Sequence, residues 1–595
     1  MKSINPRTRV LSALAVALLA GAFLAGCSGD DGKDGDTGPA GTDGTAGTPG
    51  ISCWDLNQNG VADLATEDVN KDGKVDVNDC RTTGSNDPAT FHKSYFTDNP
   101  YTSTAQCLNC HGWLAGEVMK TGHWKQEGTV ASIVGPVDLR GKVHGKKDLI
   151  NNFCQAVPSN EGRCSQCHIG IGWVDKNFDF NNPRNIDCLV CHDQTGTYKK
   201  VQTPSADGKV PAGGPDPTVD LTKVAQSVGL NKGVPPRYTC VACHSRAGGD
   251  DNVKHGDINS RFALNVPDDP ANPSDDPFDR TEDVHMGVDG GNMACVACHQ
   301  VDKDAAGNVQ SHGIGGFMYH SVDEGVMKDC TDCHPDRASI HAPTSAAVVV
   351  NLNAHTRLAC QTCHIPAIAR KVSTYTDWRW SMAGLAARPA ECAAEPVGTG
   401  NRPTWVQIKG CFKWGTSVRP ELRFYNGQWN RRVMGVSDKF DTTPVDLGSP
   451  AATYKDADAM IYPFKKMTGN QPADKNNKTV LVPHLWGKVT GPNPFWRPAG
   501  ATTGYFNWDL SLVDGAAYSS AYKAENQQVY SGTYEFVDTV MLLKVDHEIP
   551  PAEQALGMNN DCSDCHGKNT AGKDQVDWVA LGWSADPLSG GTRPD

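Results

Sequence analysis

One pentapeptide, Cys-x-x-Cys-His, occurs eight times in this chain, and it constrains the fold more than any other feature. The copies comprise Cys107, Cys110 and His111; Cys164, Cys167 and His168; Cys188, Cys191 and His192; Cys240, Cys243 and His244; Cys295, Cys298 and His299; Cys330, Cys333 and His334; Cys360, Cys363 and His364; and Cys562, Cys565 and His566. The pattern is that of covalent c-type haem attachment: two thiols add across the porphyrin vinyl groups, and the adjacent histidine offers a nitrogen to iron. A zinc or disulfide scaffold gives no reason for a histidine directly after every second cysteine.

The expected molecule is an octahaem c-type cytochrome carrying eight haem c groups. Its composition suits that reading. Hydrophobic residues are 38% and charged residues 21%, with 61 Gly and 37 Pro. That is loop-rich and thin in apolar side chains. Eight flat apolar macrocycles supply what the side chains lack, which couples haem attachment to folding. The expected fold class is mainly α with much irregular loop, organised around the haems. A net charge of -13 argues against nucleic acid as a partner.

Of the 22 cysteines, six fall outside the motifs: Cys27, Cys53, Cys80, Cys154, Cys392 and Cys411. So many thiols suggest export to an oxidising compartment. The N-terminus agrees. A basic start up to Arg9 precedes an apolar run, Val10 to Leu24, too short to span a bilayer well. Leu24-Ala25-Gly26-Cys27 resembles a lipobox, which implies a signal peptide over 1–26 and acylation of Cys27. The expected location is the outer membrane, lipid-anchored, on its periplasmic face or the cell surface.

Residues 27–51 read as a tether with glycine at every third position from Gly29 to Gly50. The period is that of collagen, so a short trimerising stalk is the alternative to a flexible linker. Residues 52–85 hold two acidic repeats, Asp55, Asn57, Asn59 and Asp63, then Asp68, Asn70, Asp72, Asp76 and Asp79. Oxygen ligands at this spacing, with Gly60 and Gly73 at the sharp turns, read as EF-hand-like or dockerin-like calcium loops. Cys53 and Cys80 flank the unit and are expected to close it.

Residues 86–370 carry seven motifs, whose starts are 57, 24, 52, 55, 35 and 30 residues apart. Little chain intervenes at the short spacings, so neighbouring haems must lie close together. Residues 371–545 hold no motif but eight of the 14 Trp, and read as a packed lid or wall around the haem array. Cys392 and Cys411 within it are expected to pair, with two buried free thiols as the alternative. Residues 546–595 return the chain to the array with the eighth motif.

A six-coordinate haem iron needs a second strong ligand, and neutral imidazole suits it. Nine histidines outside the motifs are candidates: His92, His123, His255, His285, His312, His320, His341, His355 and His547. His144, in the basic run Lys142 to Lys147, and His484, in the haemless stretch, are weaker. An electron wire would ligate every iron twice. An enzyme would leave one iron open or weakly held.

Several strings closely resemble octahaem tetrathionate reductases. They are AQCLNCH with EVMKTGHWKQEG, INNFCQAVPSNEGRCSQCHIGIGWVDKNFDF, IDCLVCHDQTGTYKK, VKHGDI, DVHMG, GGFMYH, LACQTCHIPAIAR and MIYPFKKMTGNQPADKNNKTVLVPHLWG. The likeness runs from about His92 to the last motif and omits the tether and calcium unit. It implies closely packed haem pairs and one catalytic haem, at the second motif, with a lysine amine as ligand. Lys254 is the first choice for that lysine, with Lys199 and Lys200 as alternatives. It also implies a lone cysteine near that haem, for which Cys154 is the natural candidate. The implied reaction is reduction of tetrathionate, nitrite or hydroxylamine, with electrons from a donor cytochrome or quinol-linked partner. The rival expectation is a non-catalytic electron conduit to an extracellular acceptor or partner cytochrome.

Overall fold

The largest element is a ten-stranded mixed sheet, drawn mostly from the stretch that carries no haem motif. The computed structural model describes residues 61–68, 73–75, 87–201, 213–245, 254–263, 278–301, 311–315, 326–334, 341, 355–392, 403–485, 506–558 and 561–594. The chain divides into two units, 1–50 and 51–595, and every described residue belongs to the second.

Among the described residues fourteen strands run in chain order: β1 Glu127–Thr129, β2 Ile133–Gly135, β3 Val143–Gly145, β4 His299–Gln300, β5 Val326–Met327, β6 Thr374–Arg379, β7 Trp405–Val406, β8 Gly410–Gly415, β9 Glu421–Tyr425, β10 Trp429–Arg431, β11 Val445–Pro450, β12 Met460–Asp474, β13 Thr479–Val480 and β14 Tyr534–Lys544. The large sheet has the order β2-β10-β11-β14-β12-β6-β8-β7, with β9 and β13 also paired to β12. β12 and β14 form its spine, antiparallel from Phe464 opposite Lys544 to Asp474 opposite Tyr534. Most of β12 from Pro463 onward is buried on both faces, as a strand covered on both sides must be.

The expectation of a mainly α fold is corrected here. Residues 371–545 are rich in aromatic and β-branched side chains, which fit a pleated, half-buried surface. They pack into one core of Phe153, Tyr375, Trp378, Trp380, Phe412, Tyr425, Trp429, Phe464, Met467, Leu485, Trp508 and Met541. Indole donors tie the core down: Trp378 Nε1 donates to Lys409 O at 2.6 Å and Trp380 Nε1 to Phe153 O at 2.6 Å. Cys392 and Cys411 form a disulfide, as expected.

The helices are short, and several fall on the motifs, while Pro88–Asp98, Leu221–Ser227 and Trp508–Tyr518 carry none. Ala105–Val118, Leu189–His192, Arg237–His244, Cys330–Cys333 and Cys360–His364 each carry one. A helical turn brings residues three apart to one side, which is what two thiols need to reach one macrocycle. The first helix breaks at His111, where the backbone leaves helical geometry (φ -114°, ψ 23°). Among the described residues no helix is long and apolar enough to cross a membrane.

Candidate functional site

Five motif histidines face a histidine from elsewhere in the chain at nearly one distance. Ring centroids are 6.1 Å apart for His92 and His111, 6.3 Å for His285 and His334, 6.1 Å for His299 and His547, 6.1 Å for His341 and His364, and 6.2 Å for His355 and His566. Two metal–nitrogen bonds of about 2 Å in line, with each centroid roughly 1 Å behind its nitrogen, give about 6 Å. The spacing therefore fits an iron between each pair. Of the charged groups, His312 acts most strongly on His192, which makes it the candidate for a sixth pairing. Among the described residues no group of three or more His, Cys, Asp or Glu is arranged to hold a metal ion. The imidazole pairs thus suit a metal whose other positions come from a macrocycle.

The second nitrogen of these rings is fixed as a ligand's should be. Nδ1 lies 2.7 Å from Pro88 O in His92, 2.9 Å from Gly233 O in His192, 2.6 Å from Gly315 O in His299, and 2.8 Å from Asp586 Oδ1 in His566. Burial pushes His192 down to about 4, which keeps it in the neutral form that binds iron.

Motif thiols also meet one another. Cys107 contacts Cys188, Cys167 contacts Cys243, Cys240 contacts Cys295, and Cys330 contacts Cys360. Cys191 acts electrostatically on Cys240 and Cys243, and Cys333 on Cys298. Leu556 N donates to Cys363 O at 2.9 Å, tying the seventh motif to the approach to the eighth. The thiols thus link the first seven motifs, and the pairs join the first motif to the third and the second to the fourth as well as the sixth to the seventh.

The second motif differs from the rest. His168 is buried in a cage of Trp124, Trp173, Phe178 and Phe180, with centroids 4.7–5.9 Å away. Its Nε2 lies 2.6 Å from Trp124 O, and its Nδ1 accepts from Gly170 N at 3.1 Å. Both nitrogens are thus engaged by backbone, with the proton assigned to Nε2 from this network. Burial pushes this imidazole down to about 3.

Around the second-motif thiols the structure gathers residues that are far apart in the chain. A small cavity is lined by Lys146, Leu149, Asn151, Phe153, Lys254 and Met541. Two of the six are cations and none is a carboxylate. Lys254 lies 5.5 Å from the Phe153 ring and acts electrostatically on Cys164 and Cys167. Cys154 also acts on Cys164 and packs against the sheet core. The alternative lysines are committed elsewhere. Lys200 Nζ donates to His168 O at 2.5 Å and Gly170 O at 3.1 Å, and lies 3.4 Å from Asp187. Lys199 pairs with Asp216 at 3.5 Å on the surface.

The haemless stretch holds this site together. Fully buried Lys465 on β12 donates to Lys254 O at 2.7 Å and Thr374 Oγ1 at 2.6 Å. His255 Nδ1 lies 2.8 Å from Lys544 O on β14. Asn152 Nδ2 donates to Met467 O at 2.8 Å, and the side chains of Gln155 and Gln471 are in contact. The wall expected over residues 371–545 is thus the frame on which both the Cys154 loop and the Lys254 segment hang. Sequence reading missed Lys465, whose signal was a lysine within an apolar run. It noted Lys146 only as one member of a basic stretch. His123 stands next to Trp124 and acts on His168.

In the acidic repeats, Asp63 Oδ1 accepts from Ala65 N at 2.8 Å, and Asp68 Oδ2 from Gly73 N at 2.9 Å, Gly73 having φ +83°. Glu67, which the spacing argument passed over, is fully buried and accepts from Asp63 N at 2.9 Å. Asp55, Asn57, Asn59, Asn70, Asp72, Asp76, Asp79, Cys53, Cys80, Cys27, the glycine tether and His320 lie outside the described residues.

A family model described as bacterial cytochrome c matches residues 375–569, the haemless stretch together with the eighth motif. The crystal structure of an octahaem cytochrome c from Shewanella oneidensis is similar with a TM-score of 0.63 and 35% identity, over 84% of this chain and 98% of that one. No curated protein matches the chain. With the repeated attachment motifs, the paired imidazoles and this likeness along almost the whole of a solved relative, the chain belongs to the octahaem cytochromes c.

Proposed function

We propose that this c-type cytochrome carries eight haems and reduces a small sulfur or nitrogen substrate, tetrathionate, nitrite or hydroxylamine, at the second motif. The observation that carries the reading is that Lys254 and Cys154 act on the Cys164 thiol and Lys254 and Lys146 on the Cys167 thiol, while the two lysines line a neighbouring cavity with no lining carboxylate. Lys254 and the motif histidine His168 would hold the iron there. The Lys254 amine is displaceable and loses its proton readily beside a metal. The other seven haems would be held by paired histidines. The six pairings above leave His123 and His255, with His320, for the fourth motif.

Bound haem supplies one-electron iron chemistry. The chain's own residues supply the rest. Lys146 would draw an oxyanion toward the cavity, and Leu149, Phe153 and Met541 line its apolar side. Electrons enter from a donor cytochrome or quinol-linked partner. The mature chain is held to the outer membrane by lipid on Cys27, and the tether and calcium-bound repeats space the haem unit from the bilayer.

The connected series of motif thiols favours a second reading, a conduit that hands electrons to an external acceptor or partner cytochrome. Turnover separates the two. Holoprotein supplied with reduced viologen should consume tetrathionate, nitrite or hydroxylamine, and the Lys254→Met variant should lose that activity with all haems attached. A holoprotein that reduces none of the three is the conduit.

A further inference from the structure

We propose that Glu161, together with Tyr522 and Tyr518, delivers protons to the second-motif site during proton-consuming reductions and has no part in a proton-free one. The proposal rests on the reading of that site as reductive.

Placement comes first. Glu161 opens the helical turn Glu161–Cys164. Residues three apart on a turn share a side, so the carboxyl flanks the thiol that anchors the second macrocycle, and the two groups act on each other electrostatically. Glu161 is fully buried. Its Oε1 accepts from Tyr522 OH at 2.8 Å, and its Oε2 is buried with no hydrogen-bond partner.

A route leads from the carboxyl to the surface. Tyr518 stands close enough to Glu161 to act on it, and its hydroxyl accepts from exposed Lys176 N at 2.6 Å. Tyr522 OH also accepts from Trp173 Nε1 at 3.1 Å, and Trp173 packs on the His168 ring. The charged and titratable groups facing this trio are the Cys164 thiol, the Lys147 ammonium 5.3 Å from the Tyr522 ring, the Lys176 ammonium 5.7 Å from the Tyr518 ring, and Asp175 near Tyr518. Lys147 is itself paired with Glu127 at 2.9 Å.

A buried carboxyl with one oxygen unpartnered is an expensive way to hold a fold, and a buried amide would do it at less cost. The same arrangement is useful for holding a proton. Burial raises Glu161 to about 7, so it is protonated near neutrality and can be reloaded through the tyrosines. The substrates differ in what they ask of it. Tetrathionate takes two electrons, its central S–S bond breaks, and two thiosulfates leave with no proton consumed. Hydroxylamine takes two electrons and three protons: the N–O bond breaks, N–H and O–H bonds form, and ammonium and water leave. The electrons come from the donor that reduces the haems, and the protons come from solvent through Tyr518, Tyr522 and Glu161.

The test compares the two substrates in the holoprotein with reduced viologen as donor. In Glu161→Gln the ratio of hydroxylamine to tetrathionate turnover should fall about a hundredfold, the lower end for a positioned proton donor. Wild-type hydroxylamine turnover should decline as pH rises through about 7, because the donor must carry its proton, and the variant should lose that limb. Infrared spectroscopy reads the group independently of turnover: a protonated-carboxyl carbonyl band present below neutrality and lost above it should be missing in Glu161→Gln. If that variant fails to take up its haems, Tyr522→Phe carries the same comparison, with a smaller fall in the ratio. An unchanged ratio, or no difference in the infrared band, overturns the relay and leaves the reductase reading standing. Wild type that reduces tetrathionate alone also overturns it, and wild type that reduces neither overturns both.

Discussion

At the scale of single residues, buried lysines do the positioning. Lys465 is sealed inside the sheet, and its ammonium is satisfied by Lys254 O and Thr374 Oγ1. Replacing it by Met keeps the volume but removes both hydrogen bonds. Hydrogen bonds from a charged donor are worth about 1.5–3 kcal/mol, so Lys465→Met should destabilise the holoprotein by about 2 kcal/mol in denaturant unfolding. It should also perturb the spectrum of one haem, because it frees the Lys254 backbone. Lys146 differs in that it lines the cavity beside Lys254. Lys146→Gln removes a cation from the path of an anion. KM for tetrathionate should rise about tenfold, the equivalent of one charged hydrogen bond, while KM for neutral hydroxylamine stays within twofold. Equal rises for both substrates would make Lys146 a structural residue.

At the scale of elements, the motifs and the sheet divide the work. All eight pentapeptides were legible because two thiols and a histidine must sit at fixed spacing to meet one macrocycle. Five of the histidine pairs were legible only as a pool of candidates: His92 is 19 residues before His111, but His547 is 248 residues beyond His299, and no local pattern encodes that return. The sheet was misjudged for a related reason. β12 and β14 are stabilised by each other across 59 intervening residues between Asp474 and Tyr534, and no local pattern encodes that pairing. The Cys392–Cys411 bridge ties the 383–392 segment to β8. A closed loop of that length is worth about 3 kcal/mol. Cys392→Ser with Cys411→Ser should therefore lower unfolding stability by about that amount, with haem content retained, and no loss would mean that the loop is held by packing alone.

At the scale of the whole molecule, motif thiols from different parts of the chain touch in pairs. Intact mass spectrometry of protein from the membrane fraction should show eight haem masses, plus acyl groups on a chain beginning at Cys27. Cys27→Ser should keep the haems and lose the lipid. Fewer than eight haems would mean that one or more motifs is not used for attachment.

The account stands most directly on the ligands of one iron. Electron paramagnetic resonance of the oxidised holoprotein should resolve a single haem species distinct from the bis-histidine set. Lys254→Met should abolish that species and leave the remaining signals and the haem content as they were. A spectrum that is the same before and after the substitution, or eight bis-histidine haems from the start, would contradict the assignment of Lys254 and with it the catalytic site.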